Sequence, residues 1–463
     1  MAAAAGTYAE IDVTPRIAAQ ATWTDNVNLD QAGRQSDLVL STQPGINIEA
    51  RSQRLTGTID YAPSLLVFLD NTSETTVRQR LSANIQAEVV RETFFVNAGG
   101  SIGQRFADLE GPLSGSDFNF SNNRRTVQNY FVRPRLTREF GSFATATLNY
   151  TFSYNNVGNP TGAANVFSDS IRHGASAVLN SGSSFTRLRW SLRGDYDNVE
   201  RARINARFED ISARAEIEYA LGRTLSLLGS GGYEDTEDAT LTSRNGPVWD
   251  AGFRWRPGPR TDISFRGGRR FGDETFSGSF SYRLQEKAFI RADYVDEIEI
   301  ENRLTTGRLI GIGFDENGVP INDSGVPVPV IGDDISLTDN AFRRRNASLT
   351  LGYGQRRITY RLRGFFERRT FDVAAPTEES IGVFGSVGYE MGRGQIASLS
   401  FTYRDTNFIG GGSNEFYTVN AQYSVALSAN SSAFVGARHS SSNNQSRQDF
   451  RGNSISVGVR TTF

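Results

Sequence analysis

Polar and apolar residues alternate with a period of two along nearly the whole chain. In residues 143–154, Ala144, Ala146, Leu148, Tyr150, Phe152 and Tyr154 fall on one face, and Thr145, Thr147, Asn149, Thr151 and Ser153 on the other. Ala397, Leu399, Phe401 and Tyr403 oppose Ser398, Ser400, Thr402 and Arg404 in the same way. Trp249, Ala251, Phe253 and Trp255 oppose Asp250, Gly252, Arg254 and Arg256. A strand separates such residues cleanly, whereas a helix would scatter them around its circumference. The segments run to about 11–15 residues, against ~5–6 in soluble sheets and ~9–11 for a tilted strand crossing a bilayer. Tyr150, Tyr154, Tyr219, Tyr353, Tyr389 and Tyr403 sit near the ends of apolar faces, where a ring with a polar tip meets the lipid headgroups.

Counting these segments gives roughly 22 strands within residues 11–463. Tight turns such as Gly141-Ser142, Gly182-Ser183, Leu221-Gly222 and Ala429-Asn430 alternate with long polar connections at 24–35, 107–125, 157–170, 235–245, 301–339 and 442–448. The pattern predicts an all-β fold: one transmembrane antiparallel up-and-down β-barrel of about 22 strands. A short periplasmic segment, residues 1–10, precedes it, and a long extracellular loop lies at about 301–339. An even strand number places both termini in the periplasm of a Gram-negative cell. One connection, 272–273, is short where a long loop is due, and a count off by two would remove the exception. Pro15, Pro44, Pro63 and Pro134 fall inside assigned strands and mark bulges or strand ends, since each removes a ladder donor.

Composition narrows the classes. Hydrophobic residues make up 38% of the 463, and no apolar run approaches the ~18 residues of a membrane helix, which excludes a helical membrane protein. There is no cysteine, so disulfides and thiolate chemistry are absent. The net charge of −2 gives no pull toward nucleic acid. One of the 49 basic residues is lysine, Lys287, and the rest are arginine. Residues 1–6 carry neither the charged nor the apolar region of a signal peptide, so a processed chain is expected.

The last segment places Ile455, Val457, Val459 and the terminal Phe463 on one face, interrupted by Thr461. It resembles the insertion signal read by the bacterial outer-membrane assembly machinery, which makes Phe463 the candidate assembly signal and that machinery a partner. More widely, VTPRIAAQATWTDNVNL (13–29), FVRPRLTREFGSFATATLNYTFSY (131–154), GSGGYEDTED (229–238) and WDAGFRWRPGPRTDISFRGGRRFGDETFSGSFSYR (249–283) carry a family likeness. On these stretches the chain resembles the PEP-CTERM system-associated outer-membrane proteins, related to the β-barrel porin type 2 group. The resemblance covers most of 11–300 and rests on strand and turn signatures. It implies an outer-membrane barrel associated with exopolysaccharide production and export, and it does not extend to the 301–339 insertion.

The candidate chemistry lies on the inward faces. Arg187, Arg189, Arg193, Arg254, Arg256, Arg266, Arg361, Arg363 and Arg404 are expected to line the lumen, joined by Arg460. Guanidinium groups bind carboxylate and phosphate as a fork, so such a wall favours anionic solutes or acidic polysaccharide. The competing reading pairs them across strands with inward Glu216, Glu218, Asp250 and Asp262, leaving a neutral wall. In the long loop, Asp315, Glu316, Asp333 and Asp334 are candidates for a constriction folded into the lumen against wall arginines, the alternative being an extracellular hairpin. The acidic run Glu234–Asp238 is read as a solvated loop rather than a Ca²⁺ site, because it lacks EF-hand spacing. No metal site, cofactor or catalytic residue is assigned. His173 and His439 lie on strands near a rim, and no nucleophile or phosphate-loop motif accompanies them.

These features predict a passive or partner-gated outer-membrane pore, linked to exopolysaccharide secretion and surrounded by lipid and lipopolysaccharide. Its lumen is open, narrowed by loops such as 107–125 and 301–339, or filled by a partner. A non-conducting scaffold that docks a periplasmic or surface protein is the rival class, and a soluble β-solenoid is the third.

Overall fold

A computed structural model describes residues 10–463 except 72–73, 114–117, 120–122, 160–165, 242–243, 286, 310–312, 315–319, 322–336, 373–376, 409–410 and 446–447. Each hairpin pairs antiparallel with the next, and Arg16–Thr24 pairs with Ser454–Thr462 to close the sheet on itself. Among the described residues, 24 hydrogen-bonded segments make up 22 barrel strands, because two strands are interrupted. One is split into Leu55–Tyr61 and Ser64–Phe68, the other into Thr76–Arg78 and Leu81–Val90. The first break has a direct cause. The register on either side sets Pro63 opposite Pro44, so neither residue offers an N–H to the ladder. Closure leaves no sheet edge, the condition for a strand protein to cross lipid.

Register also fixes which way each side chain points. Leu148, Phe401 and Val457 face outward and stay 51%, 41% and 59% exposed, as an apolar belt facing lipid requires. At the short-turn rim, Trp190 packs with Phe143 and Phe185, ring centroids 5.6–5.9 Å apart. Tyr353 and Tyr360 meet at 6.0 Å along the same rim. These rings form an aromatic girdle at this rim, and Tyr353 is the one among them that the sequence places at an interface.

The opposite rim is uneven. The 272–273 connection is a real tight hairpin, with Phe271 and Gly272 both at positive φ between Thr261–Arg270 and Asp273–Gln285. The strand count of 22 therefore stands without adjustment. The acidic run Glu234–Asp238 is not a loop. It ends the strand Leu225–Asp238, paired on both sides, and its inward carboxylates bind arginines: Glu234 takes Arg270 and Asp238 takes Arg201. The terminal Phe463 donates its backbone N–H to Pro15 at 2.9 Å, and its side chain is exposed.

Candidate functional site

The inner wall is built from the polar positions of every strand, and it divides into facets of different chemistry. Between Leu188 and Gln285 the candidate arginines are engaged by carboxylates on the same strand or across the ladder. Arg189 meets Glu218 at 2.7 Å, Arg193 meets Asp195 at 2.6 Å, and Arg256 meets Asp262 at 2.8 Å. Arg254 lies 3.5 Å from Glu218 and 3.6 Å from Asp262, and Arg266 holds Asp250 at 2.9 Å and Glu216 at 3.5 Å. The neutral-wall reading thus describes this facet. Solvated pairs of this kind contribute about 0–1 kcal/mol each, and they cancel the field an anion would feel.

Three of the remaining candidates sit on another facet and one lies outside the lumen. Arg361, Arg363 and Arg404 point inward from Ile358–Thr370 and Gln395–Asn407, with the Arg404 guanidinium 5.6 Å from the Phe365 ring centroid. Arg187 does not line the lumen. The strand begins at Leu188, so Arg187 adjoins the short turn, its guanidinium 6.0 Å from the ring of outward Tyr219. The constriction candidates Asp315, Glu316, Asp333 and Asp334 lie outside the described residues.

The described start of that long loop is a helix, Glu301–Leu309. It leaves the strand Ala288–Glu299 and enters the lumen, reaching inward-facing side chains of four strands on another part of the wall. Glu301 forms an ion pair with Arg105 in which both side chains are buried. Ser153 donates to Asn302 Oδ1 at 2.8 Å, and the Asn302 amide donates to Ser170 Oγ at 2.9 Å. Asn129 donates to Thr306 at 3.3 Å. Arg303 donates to Glu299 at 3.0 Å and to Asp210 at 3.2 Å, its guanidinium 5.5 Å from the Phe208 ring centroid. Burial alone would lower the Arg303 pKa, but Glu299, Asp197 and Asp210 raise it above the usual value, so the group stays charged. The helix buries its polar face, the reverse of an ordinary amphipathic helix.

A second insert comes from the loop after Phe94–Phe106. Leu109 and Leu113 bury with Leu29, Phe106, Phe416 and Phe450, while Asn414 donates to the Leu109 carbonyl at 2.8 Å. Asn119 donates to the Asn26 carbonyl at 3.1 Å, and Phe118 packs on the cluster of Val27, Val39, Leu66 and Phe68.

The two inserts divide the lumen. On the long-loop side, inward residues are buried right around the wall, among them Thr22, Val39, Phe68, Asn129, Ser153, Val199, Phe208, Thr236, Arg369, Thr406, Asn414, Ser442 and Phe450. On the short-turn side, inward Arg189, Arg193, Arg256, Arg361, Gln422 and Arg460 are exposed. The loop-narrowed state is therefore the one found.

Both histidines face outward. His173 Nδ1 lies 2.6 Å from the Tyr150 hydroxyl and His439 Nδ1 2.8 Å from Asn453 Oδ1, neither near the lumen inserts. A concavity of about 530 Å³ lined by Leu351, Tyr353, Leu362, Val387 and Leu399 is mostly a dent in the apolar belt.

No protein-family model matches the chain, and no curated protein does. Among solved structures, it is similar to the FrpB iron transporter from Neisseria meningitidis (F5-1 variant), with 9% identity and a TM-score of 0.53 over 98% of this chain and 83% of that one. The apoprotein form of that transporter gives 9% identity and a TM-score of 0.51 over 97% and 81%. The siderophore receptor PirA from Acinetobacter baumannii gives 9% identity and a TM-score of 0.43 over 98% and 80%. At this identity the FrpB likeness establishes a shared barrel fold and nothing finer.

Proposed function

We propose that the protein is an outer-membrane conduit with its own stopper, closed on the extracellular side and opened to pass an anionic solute, an acidic exopolysaccharide being the best candidate. One observation carries this reading. A complete polar-lined barrel continues beneath a packed plug whose helix is held mainly by polar contacts, one buried ion pair and side-chain hydrogen bonds, while the second insert adds apolar packing. A polar interface of this kind exchanges for water at far lower cost than an apolar core. In this reading the long loops lie outside the cell and the short turns and both termini in the periplasm, the arrangement of bacterial barrels. The partners proposed are the assembly machinery that reads Phe463 and the periplasmic components of an export system.

The packed half also favours a second reading, a non-conducting barrel that docks another protein. Planar-bilayer recording separates the two. The intact protein is expected to be closed or to conduct rarely. A variant in which a two-residue hairpin replaces residues 301–339 is expected to conduct, with anions preferred. A silent variant that still inserts supports the docking barrel, and a cation-selective one removes the anionic substrate.

A further inference from the structure

The first inward groups beneath the helix differ from the neutral facet. Down the strand Arg124–Phe140, Asn129 touches the helix, Phe131 is buried, and Arg133 and Arg135 follow. Their ladder neighbours carry no charge: Asn97 and Thr151 flank Arg133, and Phe95 and Asn149 flank Arg135. Three of the acids farther along are already engaged. Asp197 holds Arg172 at 2.5 Å, Asp195 holds Arg193 at 2.6 Å, and Glu88 accepts the backbone N–H of Glu92. Arg135 stacks 4.5 Å from the Phe95 ring centroid, which steers the guanidinium without neutralising it.

The neutral groups beside them are suited to hydroxyls. Asn149 donates to Ser176 at 3.2 Å, while its own Oδ1 is buried without a hydrogen-bond partner. The Nε–H groups of Arg133 and Arg135 are likewise buried and unpartnered. Side chains two residues apart on one face leave the strand about 7 Å apart, a spacing for successive contacts on one ligand. From this geometry we infer that Arg133, Arg135, Asn149, Thr151 and Ser176 form a subsite for a carboxylate-bearing sugar unit directly under the stopper. The carboxylate engages the arginines as a fork, and the sugar hydroxyls bond to Asn149, Thr151 and Ser176. This deepens the conduit reading by naming where its substrate waits, yet binding is measurable whether or not the barrel conducts.

The test is calorimetry on the detergent-solubilised full chain, titrated with hexagalacturonate and with neutral maltohexaose. The acidic hexamer is expected to bind and the neutral one to bind at least tenfold more weakly. An R133Q/R135Q double variant should lose at least tenfold in affinity for the acidic hexamer, with an unchanged melting temperature. R189Q, on the paired facet, should retain it. Equal binding of both sugars, wild-type affinity in the double variant, or an equal loss in R189Q would overturn the subsite. Failure of the conduit reading alone would leave acidic-sugar binding intact in a barrel that never conducts.

Discussion

Replacing Glu301 with alanine is expected to undock the helix and raise the open probability of the barrel at least tenfold in planar bilayers. The substitution takes the Glu301 carboxylate away from buried Arg105. Removing one partner of a buried pair costs about 3–5 kcal/mol. The neutral anchors that remain, Asn302 to Ser153 and Ser170 and Thr306 to Asn129, are worth about 0.5–1.5 kcal/mol each. The ion pair is therefore comparable to these neutral anchors combined, with Arg303 on Asp210 as the second charged anchor. Its loss shifts docking by roughly a hundredfold to a few thousandfold, since 1.4 kcal/mol is tenfold. The control is the double variant Arg105→Met with Glu301→Met, because apolar replacement of a buried pair is often neutral or stabilising. That variant should close again. If Glu301→Ala remains as silent as the parent while inserting normally, the helix is not the stopper.

The second large effect concerns the belt. Leu399 and Ser400 are adjacent near the middle of Gln395–Asn407, Leu399 facing outward beside Val387 and Ala421, Ser400 facing inward beside Ser386 and Asn420. Leu399→Arg puts a guanidinium into hydrocarbon and should cost about 2–4 kcal/mol, as for arginine at a bilayer midplane. Ser400→Arg puts the same group into the lumen and should cost less than ~1 kcal/mol, in the range of surface changes. Reversible urea unfolding in lipid vesicles measures both. Equal costs, or the larger cost at Ser400, would mean the two faces are misassigned.

The strands and their facing were legible because period-two alternation is written locally and needs no partner. Leu148, Phe253 and Phe401 announce lipid exposure from their own neighbours. The count of 22 survived even at 272–273, where a tight hairpin replaces a long loop. Arg187 stands at the last ladder hydrogen bond before the turn, its carbonyl accepting from Ala220, and Phe185 beyond it joins the rim aromatics. Glu234–Asp238 read as a loop because five polar residues in a row look solvated. Their arginines, Arg270 and Arg201, are 36 and 37 positions away.

The helix left no such signal. Its buried residues Glu301, Asn302, Thr305 and Thr306 are polar, and the partners that make burial tolerable are remote, Arg105 being 196 positions distant. Hydrophobic periodicity cannot see a polar interface. Which arginines the wall neutralises depended on register in the same way: the carboxylates were visible in the sequence, but the pairings were set by the ladder.

The central claim is that apolar faces meet lipid, polar faces meet a water-filled lower lumen, and the upper lumen is packed shut. Single-cysteine labelling in vesicles with a charged maleimide tests it directly, since the parent chain has no cysteine. Cysteine at inward, exposed Gln422 should react quickly, at outward Val457 hardly at all, and at buried Ser153 only when Glu301→Ala is added. Fast reaction at Val457 with protection at Gln422 would contradict the account, and fast reaction at Ser153 in the parent would contradict the stopper.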